Sequence, residues 1–213
     1  MIAKETDSFQ WLEFNLLQDF PEVKHYVSLK TLPPEPIILA NQVHGNRVEP
    51  IAEFPKKELV CDALSTQTKN LPIGIKHADC QAAIIYDPIH HATVCLHAGW
   101  RGSVQNIYAE SIEHMQKHYH SSPSDLLLCV GPSLGPENAE FIHYKTELPK
   151  EFWDYQVKPH YFDFWAITKA QAVACGIHPH HIEIAKLDTY SGDFFSYRRN
   201  KTQSRHLTAI TLL

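Results

Sequence analysis

The sequence predicts an α+β fold, with a mixed β-sheet core flanked by helices, as one domain over residues 1–213. Three observations predict it: short apolar runs rich in β-branched residues, a segment with helical periodicity, and enough hydrophobic residues for one buried core. The chain has 213 residues, of which 44% are hydrophobic. Polar, proline-containing or glycine-containing turns separate the runs, and no repeat of fixed period divides the chain.

The predicted strands begin in the N-terminal half. Residues 20–28 are expected to be partly extended, within an irregular region that ends at Pro33, Pro34 and Pro36. Residues 37–40, 71–76, 82–86 and 92–96 are then expected to be neighbouring strands of one sheet. Asp87-Pro88 favours a hairpin turn between the last two.

A helix is predicted from residue 104 to residue 119, because apolar residues recur there three and four positions apart. Ser103 is its expected N-cap. The strand at 92–96 would therefore lead into a helix N-terminus, where unpaired N–H groups favour an anion. The remaining predicted elements are a strand at 125–130, a glycine- and proline-rich loop at 131–136, a helix at 164–175, and strands at 182–185 and 207–212.

Charge and cysteine usage argue against several classes of function. The chain has 19 basic and 24 acidic residues, so a nucleic-acid partner is not expected. The N-terminal segment lacks an apolar core and no stretch is apolar enough to cross a bilayer, so we expect a cytoplasmic protein without a membrane partner. Five widely spaced cysteines without a CxxC pair argue against a disulfide framework.

Three residues at the edges of apolar runs form the candidate metal site: His44, Cys80 and His97. Imidazole and thiolate are natural zinc ligands, and three protein ligands leave the fourth tetrahedral position open for water or substrate. A blue-copper centre would add an axial methionine. The chain has only Met1 and Met115, and Met115 falls on the expected core face of a helix. Zinc is therefore the expected metal, and copper the alternative.

Two other groups of histidines are expected to lie on the surface. His114 and His118 are four residues apart on the predicted helix, and His178, His180 and His181 surround a proline. Neither group has a third ligand at the end of a strand, so neither is expected to bind a metal.

Six motifs in a fixed order carry a family resemblance. They occupy residues 41–48, 61–66, 78–81, 97–102, 131–136 and 193–199. Together they resemble the YfiH-type laccase-domain family, known as polyphenol oxidase-like proteins and as purine nucleoside phosphorylases. The most specific motif is His-Ala-Gly-Trp-Arg-Gly at residues 97–102. The resemblance runs from about residue 37 to the C-terminus, and its fold is similar to that of the catalytic domain of cytotoxic necrotizing factor.

The resemblance implies an activity and a ligand set. His44, Cys80 and His97 match the family's metal ligands and are the expected catalytic centre, with zinc or copper as cofactor. The implied reaction is phosphorolysis of adenosine, inosine, guanosine and methylthioadenosine, with adenosine deamination as a side activity. The implied partners are purine nucleosides and phosphate, and we expect a monomer or weak homo-oligomer.

Further residues are candidates around this centre. Arg101 is expected to hold phosphate as a catalytic residue, because a guanidinium matches a phosphate dianion. Asp79 is expected either to orient a ligand or to act as a base, and it is also a candidate for substrate binding. Arg198, with Arg199, is expected to close the site and to bind substrate or phosphate. The candidates for stacking on a purine are Phe195 and Tyr197.

Three alternative functions remain open on the sequence. The first is a metal-free hydrolase with Cys80 as nucleophile and His97 as base. The second is a copper-dependent phenol oxidase. The third is an inactive, divergent binding protein, suggested by residues 28–36, which are shorter than the corresponding glycine-rich segment of the family.

Overall fold

The computed structural model describes residues 1–30 and 35–213. In chain order the strands are β1 (Ile2–Glu5), β2 (Gln10–Glu13), β3 (Val23–Ser28), β4 (Val48–Pro50), β5 (Ala63–Thr66), β6 (Ile73–His77), β7 (Gln81–Asp87), β8 (Ala92–Ala98), β9 (Leu127–Val130), β10 (Gln156–Lys158), β11 (Tyr161–Phe162), β12 (Ile182–Ile184) and β13 (His206–Leu212). The α-helices are α1 (Trp100–Val104), α2 (Ile107–Tyr119), α3 (Tyr144–Glu147), α4 (Phe164–Ala174) and α5 (Tyr197–Asn200).

The strands form two main sheets and a small hairpin. The first sheet has the order β1-β2-β3-β13-β6, and its neighbours are all antiparallel. The second has the order β12-β9-β7-β8-β5-β4, with parallel pairs at both edges and antiparallel pairs between them. Strands β10 and β11 form the hairpin. The sheets and the helices packed on them confirm the predicted α+β class.

The expectation of a single sheet is wrong. Strand β6 pairs with β13 in the five-stranded sheet, whereas β7 and β8 lie in the six-stranded sheet. Side chains of both sheets share one core, in which Ile75 of β6 packs in the same cluster as Ile84 of β7 and Cys95 of β8. An apolar run in the sequence predicts that a strand is buried, but it does not predict which strand pairs with it. The partner of β6 is β13, the last strand of the chain.

Other predicted strands agree with the structure in part. The hairpin at Asp87-Pro88 is confirmed, because β7 and β8 pair antiparallel from Gln81 opposite Ala98 onward. Strands β3, β9, β12 and β13 also match predicted runs, with small shifts at their ends. Residues 37–40 form only an isolated bridge, between Ile38 and Ile73. Pro33 and Pro34 lie outside the described residues.

The predicted helix at 104–119 is divided in the structure, and its expected N-cap is wrong. Ser103 is buried inside α1, and Asn106 is the residue that caps α2. Asn106 adopts the left-handed conformation (φ 54°, ψ 57°), and its side-chain oxygen accepts a hydrogen bond from the N–H of Ala109 at 3.2 Å. Asparagine tolerates this conformation better than most residues, so it separates the two helices.

Helices α2 and α4 cover the outer face of the six-stranded sheet. Ile107, Tyr108 and Met115 of α2 are fully buried against Val94 and Leu96 of β8 in a second core cluster. Among the described residues, the longest helix is α2, with 13 residues, and no helix is long and apolar enough to cross a membrane.

The role of Asn106 predicts an ordering of variant stabilities. Asn106→Ala should lower the free energy of unfolding by about 2–3 kcal/mol, because it removes the cap and puts alanine, which tolerates positive φ less well than asparagine, in the left-handed conformation. Asn106→Gly is the matched control and should cost only a few tenths of a kcal/mol, since glycine accepts this conformation. Urea denaturation measures both values, and equal stabilities for the two variants would contradict this account of the helix break.

Candidate metal centre

A loop, a turn and the end of a strand bring His44, Cys80 and His97 together. His44 lies in the loop before β4, Cys80 in the turn between β6 and β7, and His97 near the end of β8. Their ligand atoms all lie within 4.8 Å of one another. Because His97 is opposite Ala82 in the β7–β8 ladder, the start of β7 places the neighbouring Cys80 close to it.

A buried carboxylate, Asp62, positions both histidines. Its Oδ1 lies 2.9 Å from Nδ1 of His97, and because a carboxylate only accepts, His97 Nδ1 is the donor. The backbone N–H groups of Val43, His44 and Gly45 also donate to Asp62, at 2.8–3.1 Å. This hydrogen bonding holds His44 at a φ of 61° and leaves Nε2 of His97 as the nitrogen for a metal.

Glycine at position 99 gives the three side chains their space. A Cβ at Gly99 would lie 2.7 Å from Cδ2 of His44 and 3.3 Å from Sγ of Cys80. A side chain there would therefore push on two of the three candidate ligands. This close approach is the physical reason for glycine at position 99 of the most specific motif.

The ionisable groups of the centre favour a thiolate. Burial alone would raise the pKa of Cys80, but hydrogen bonds from His44 and His97 and the charges of both rings lower that pKa to about 6. Burial would lower the pKa of His97, yet its hydrogen bonds to Asp62 and Cys80 raise it to about 9. The pKa of Asp62 is lowered despite burial, because it accepts hydrogen bonds from His97 and from the backbone.

The donor set fits a zinc ion. Two imidazoles and one thiolate are ligands that zinc takes in catalytic sites with three protein ligands. A blue-copper centre fits less well, because its axial methionine would have to come from Met1 or Met115. Met115 is buried in the core cluster beneath α2, and Met1 packs against the core between the sheets.

The centre opens into a cavity of about 820 Å³. One wall is apolar and consists of Trp100, Leu134, Phe141 and Phe164. Phe164 belongs to a third core cluster, and the other three residues pack against that cluster. The rings of Phe141 and Phe164 lie 5.2 Å apart. The charged lining residues are Lys57, Glu58, Lys76, Asp79, Arg198 and Arg205. A ligand in this cavity would meet an apolar wall, a mostly cationic rim and the three candidate metal ligands.

Arg101 is not among the residues that line this cavity. Its guanidinium carbon lies 4.1 Å from the centre of the Trp100 ring, and the residue is exposed. Arg101 lies within α1, which has only five residues and ends before α2, so the long helix expected to bind an anion does not begin there. The phosphate-binding role of Arg101 stays a prediction.

Asp79 and Arg198 both line the cavity and contact each other. The Asp79 carboxylate accepts hydrogen bonds from the Thr189 hydroxyl at 2.7 Å and from the backbone N–H of Arg198 at 2.6 Å. The ligand-orienting contact expected of Asp79 is made by Asp62 in this structure.

The remaining predicted site residues have different surroundings. Arg199 donates to the carbonyls of Tyr190, Gly192 and Phe194, so it holds the loop before α5. Phe195 lies against His206, whereas Tyr197 lines the cavity and is the better placed of the two for contact with a ligand.

The other histidine groups lie apart from the centre. The rings of His114 and His118 stack 4.2 Å apart on α2. His178, His180 and His181 cluster around a short 3₁₀ turn. In the described part of the chain, His44, Cys80 and His97 are the one group of three such residues arranged to hold a metal.

Sequence reasoning missed several residues of the site. Asp62 was the main omission, although an acid between Cys61 and Ala63 in an apolar run is a signal for a buried functional carboxylate. Trp100 lies within the most specific motif, yet its place in the cavity wall could not be read from the motif. Nothing in the sequence marks Phe141 and Phe164 as residues of the cavity wall, because aromatic residues are common in core segments.

The chain is similar to several known proteins in sequence and in fold. The chain is 28% identical over 186 residues to a purine nucleoside phosphorylase of Bacteroides thetaiotaomicron, covering 78% of this chain and 69% of that protein. It is 29% identical over 217 residues to a purine nucleoside phosphorylase of Aquifex aeolicus, covering 92% and 98% of the two chains. The crystal structure of the hypothetical protein YfiH from Bacillus licheniformis superposes with a TM-score of 0.84 at 20% identity, covering 99% of both chains.

That structural likeness shows the fold, and the family is shown by the sequence itself. The family described as multi-copper polyphenol oxidoreductase laccase matches residues 22–213. This range includes both sheets' central strands, the His-Cys-His centre and the cavity wall. The chain belongs to the multi-copper polyphenol oxidoreductase laccase family, the YfiH-type family that its six motifs resemble.

Proposed function

We propose that this chain is a zinc-dependent purine nucleoside phosphorylase in which His44, Cys80 and His97 hold the metal. One observation carries the proposal: the three candidate ligands face a cavity that has an aromatic wall and a cationic rim. A purine nucleoside and a phosphate ion need these two surfaces together. The activity named for the Bacteroides and Aquifex relatives supports the same reaction.

The charge of the cavity favours an anionic co-substrate. Four lining residues are basic and two are acidic, in a chain whose formal net charge is −5. A local excess of basic side chains attracts phosphate and offsets the repulsion that the acidic residues of the protein exert on this anion. The basic lining residues are Lys57, Lys76, Arg198 and Arg205.

The apolar wall suits the purine. The rings of Trp100 and Phe141 lie 6.1 Å apart at 77°, and Phe164 extends the wall behind them. Aromatic side chains of this kind can stack on any base, because stacking does not depend on the hydrogen-bonding groups at the base edges. The proposed substrates are those that the family resemblance implies, namely adenosine, inosine, guanosine and methylthioadenosine.

The residues of the centre prepare it for a metal. Asp62 keeps a proton on Nδ1 of His97, and its contacts with residues 43–45 fix the backbone that carries His44. The neighbouring imidazoles keep Cys80 as a thiolate near neutral pH. A bound zinc ion would supply Lewis-acid polarisation of an oxygen at its open position. Adenosine deamination is proposed as a side activity of the same cavity.

A metal-free Cys-His hydrolase is the second candidate. The opposite pKa shifts of Cys80 and His97, to about 6 and about 9, are typical of a thiolate–imidazolium pair. A nucleophilic thiolate with a neighbouring base could attack an acyl substrate without a metal. Metal content and the products of nucleoside turnover distinguish the two candidates.

The first test removes one metal ligand. His97→Ala should lose bound zinc and lower phosphate-dependent release of free base from adenosine or inosine by more than about 100-fold, since loss of an orienting contact alone costs about 10–100-fold. Zinc is measured by elemental analysis and the products by chromatography, with and without phosphate. His118→Ala, at an exposed histidine on α2, is the matched control and should keep both properties.

Two outcomes would contradict the proposal. Wild-type protein that folds, binds no stoichiometric zinc and is alkylated selectively at Cys80 would favour the thiol enzyme. Inosine formed from adenosine without phosphate, with no ribose-1-phosphate when phosphate is present, would make deamination the main reaction.

The second test compares two arginines. Arg198→Ala should raise the KM for phosphate by about tenfold or more, because a hydrogen bond to a charged group contributes about 1.5–3 kcal/mol. Arg101→Ala should raise it less, since Arg101 lies over Trp100 outside the lining. Steady-state kinetics at saturating nucleoside measures both values. A larger increase in Arg101→Ala would assign the phosphate to Arg101 instead.

A further inference from the structure

We infer that Asp79 is a positioning residue that fixes Arg198, and with it α5, at the wall of the cavity. The inference rests on the proposed function, because it concerns how that site is held together. It gives Asp79 a role distinct from a base and from a direct ligand of the substrate. The residue acts through the backbone of Arg198.

The two oxygens of the Asp79 carboxylate already have partners within the protein. Oδ1 accepts from the hydroxyl of Thr189 at 2.7 Å, and Oδ2 accepts from the backbone N–H of Arg198 at 2.6 Å. Thr189 is fully buried, so its hydroxyl has little access to water as an alternative partner. A carboxylate would also repel a phosphate ion, which argues against direct phosphate binding by Asp79.

Asp79 accepts a hydrogen bond from a backbone N–H of α5 that has no partner within the helix. The first N–H groups of a helix have no partner within the helix. Ser196 caps α5 by accepting from Arg199 N at 3.1 Å, and Asp79 accepts from Arg198 N. Asp79 is therefore the contact that ties the beginning of α5 to the turn that carries Cys80.

The same residue connects a third segment. The carbonyl of Asp79 accepts from the N–H of Leu134 at 2.8 Å, and Leu134 belongs to the apolar wall. Asp79 itself has a φ of 78°, a conformation that aspartate, asparagine and glycine tolerate better than other residues. The turn before Cys80 thus presents its side chain to Thr189 and Arg198 and its carbonyl to Leu134.

The consequence for the site lies in the guanidinium of Arg198. It donates to the carbonyls of Asn138 and Glu140 at 3.2 and 3.3 Å, and the residue lines the cavity. An arginine has five N–H donors, so donors remain for an anion. Without the contact from Asp79, the backbone of Arg198 would lose its anchor and these donors would be less well placed.

Two substitutions separate positioning from chemistry. Asp79→Gly removes the carboxylate but keeps the backbone conformation accessible. Asp79→Asn keeps an oxygen for the N–H of Arg198, and its amide can donate to the Thr189 hydroxyl, which also accepts hydrogen bonds. A positioning role survives the second change, whereas a base or a required negative charge does not. Thr189→Val removes only the hydroxyl contact.

Hydrogen exchange provides a readout that is independent of activity. In Asp79→Gly, the Arg198 amide should lose protection, the KM for phosphate should rise about tenfold or more with a smaller change in kcat, and stoichiometric zinc should remain. Asp79→Asn should keep the protection and a KM close to that of the wild type. Thr189→Val should fall between the two.

Two outcomes overturn the inference. An Asp79→Asn variant with lost activity but a protected Arg198 amide would make the carboxylate a chemical group. An unchanged Arg198 amide and KM in Asp79→Gly would show that the contact does not position Arg198. If the wild type shows no phosphorolysis at all, the proposed function fails, and amide exchange alone still decides whether Asp79 anchors Arg198.

Discussion

The carboxylate of Asp62 is the group on which the rest of the centre depends. Burying a negative charge is costly unless hydrogen bonds compensate for it. Asp62 is fully buried and accepts from His97 and from three successive backbone N–H groups of the His44 loop. Its backbone carbonyl also accepts from the N–H of His97 at 2.7 Å. One residue immediately before β5 therefore fixes two of the three candidate ligands, and the turn between β6 and β7 supplies the third, Cys80.

Around this fixed centre, the cavity wall is assembled from loops that carboxylates and an arginine hold together. Asp188 accepts from the N–H of Gly135 at 2.9 Å and from the side chain of Asn138, while Arg199 donates to carbonyls of the loop before α5. Asp79 joins these loops to the turn before Cys80. Of the candidate metal ligands, His97 thus lies on a strand, whereas His44 and Cys80 lie in loops at strand ends. Loops and helices carry most of the surface that would contact substrate. Differences in substrate range among relatives are expected to arise in the loops.

The sequence predicted local features better than long-range ones. The hairpin at Asp87-Pro88, the fold class and the juxtaposition of His44, Cys80 and His97 followed from short patterns and an ordered set of motifs. The assignment of β6 to a separate sheet did not, because its partner β13 lies about 130 residues further along the chain. The missed strands are short or lie at sheet edges, and they are β1, β2, β4, β5, β10 and β11. The left-handed Asn106 interrupted a helix whose apolar periodicity continued across the break.

The most direct test of this account measures zinc affinity in Asp62→Asn. The amide replaces one accepting oxygen with a donor that would face N–H groups of the His44 loop or of His97, so both histidines should lose their orientation. Competition with a chromophoric chelator should show zinc binding weakened by about 10–100-fold in protein that remains folded. Wild-type zinc affinity in the folded variant would contradict the claim that Asp62 builds the centre.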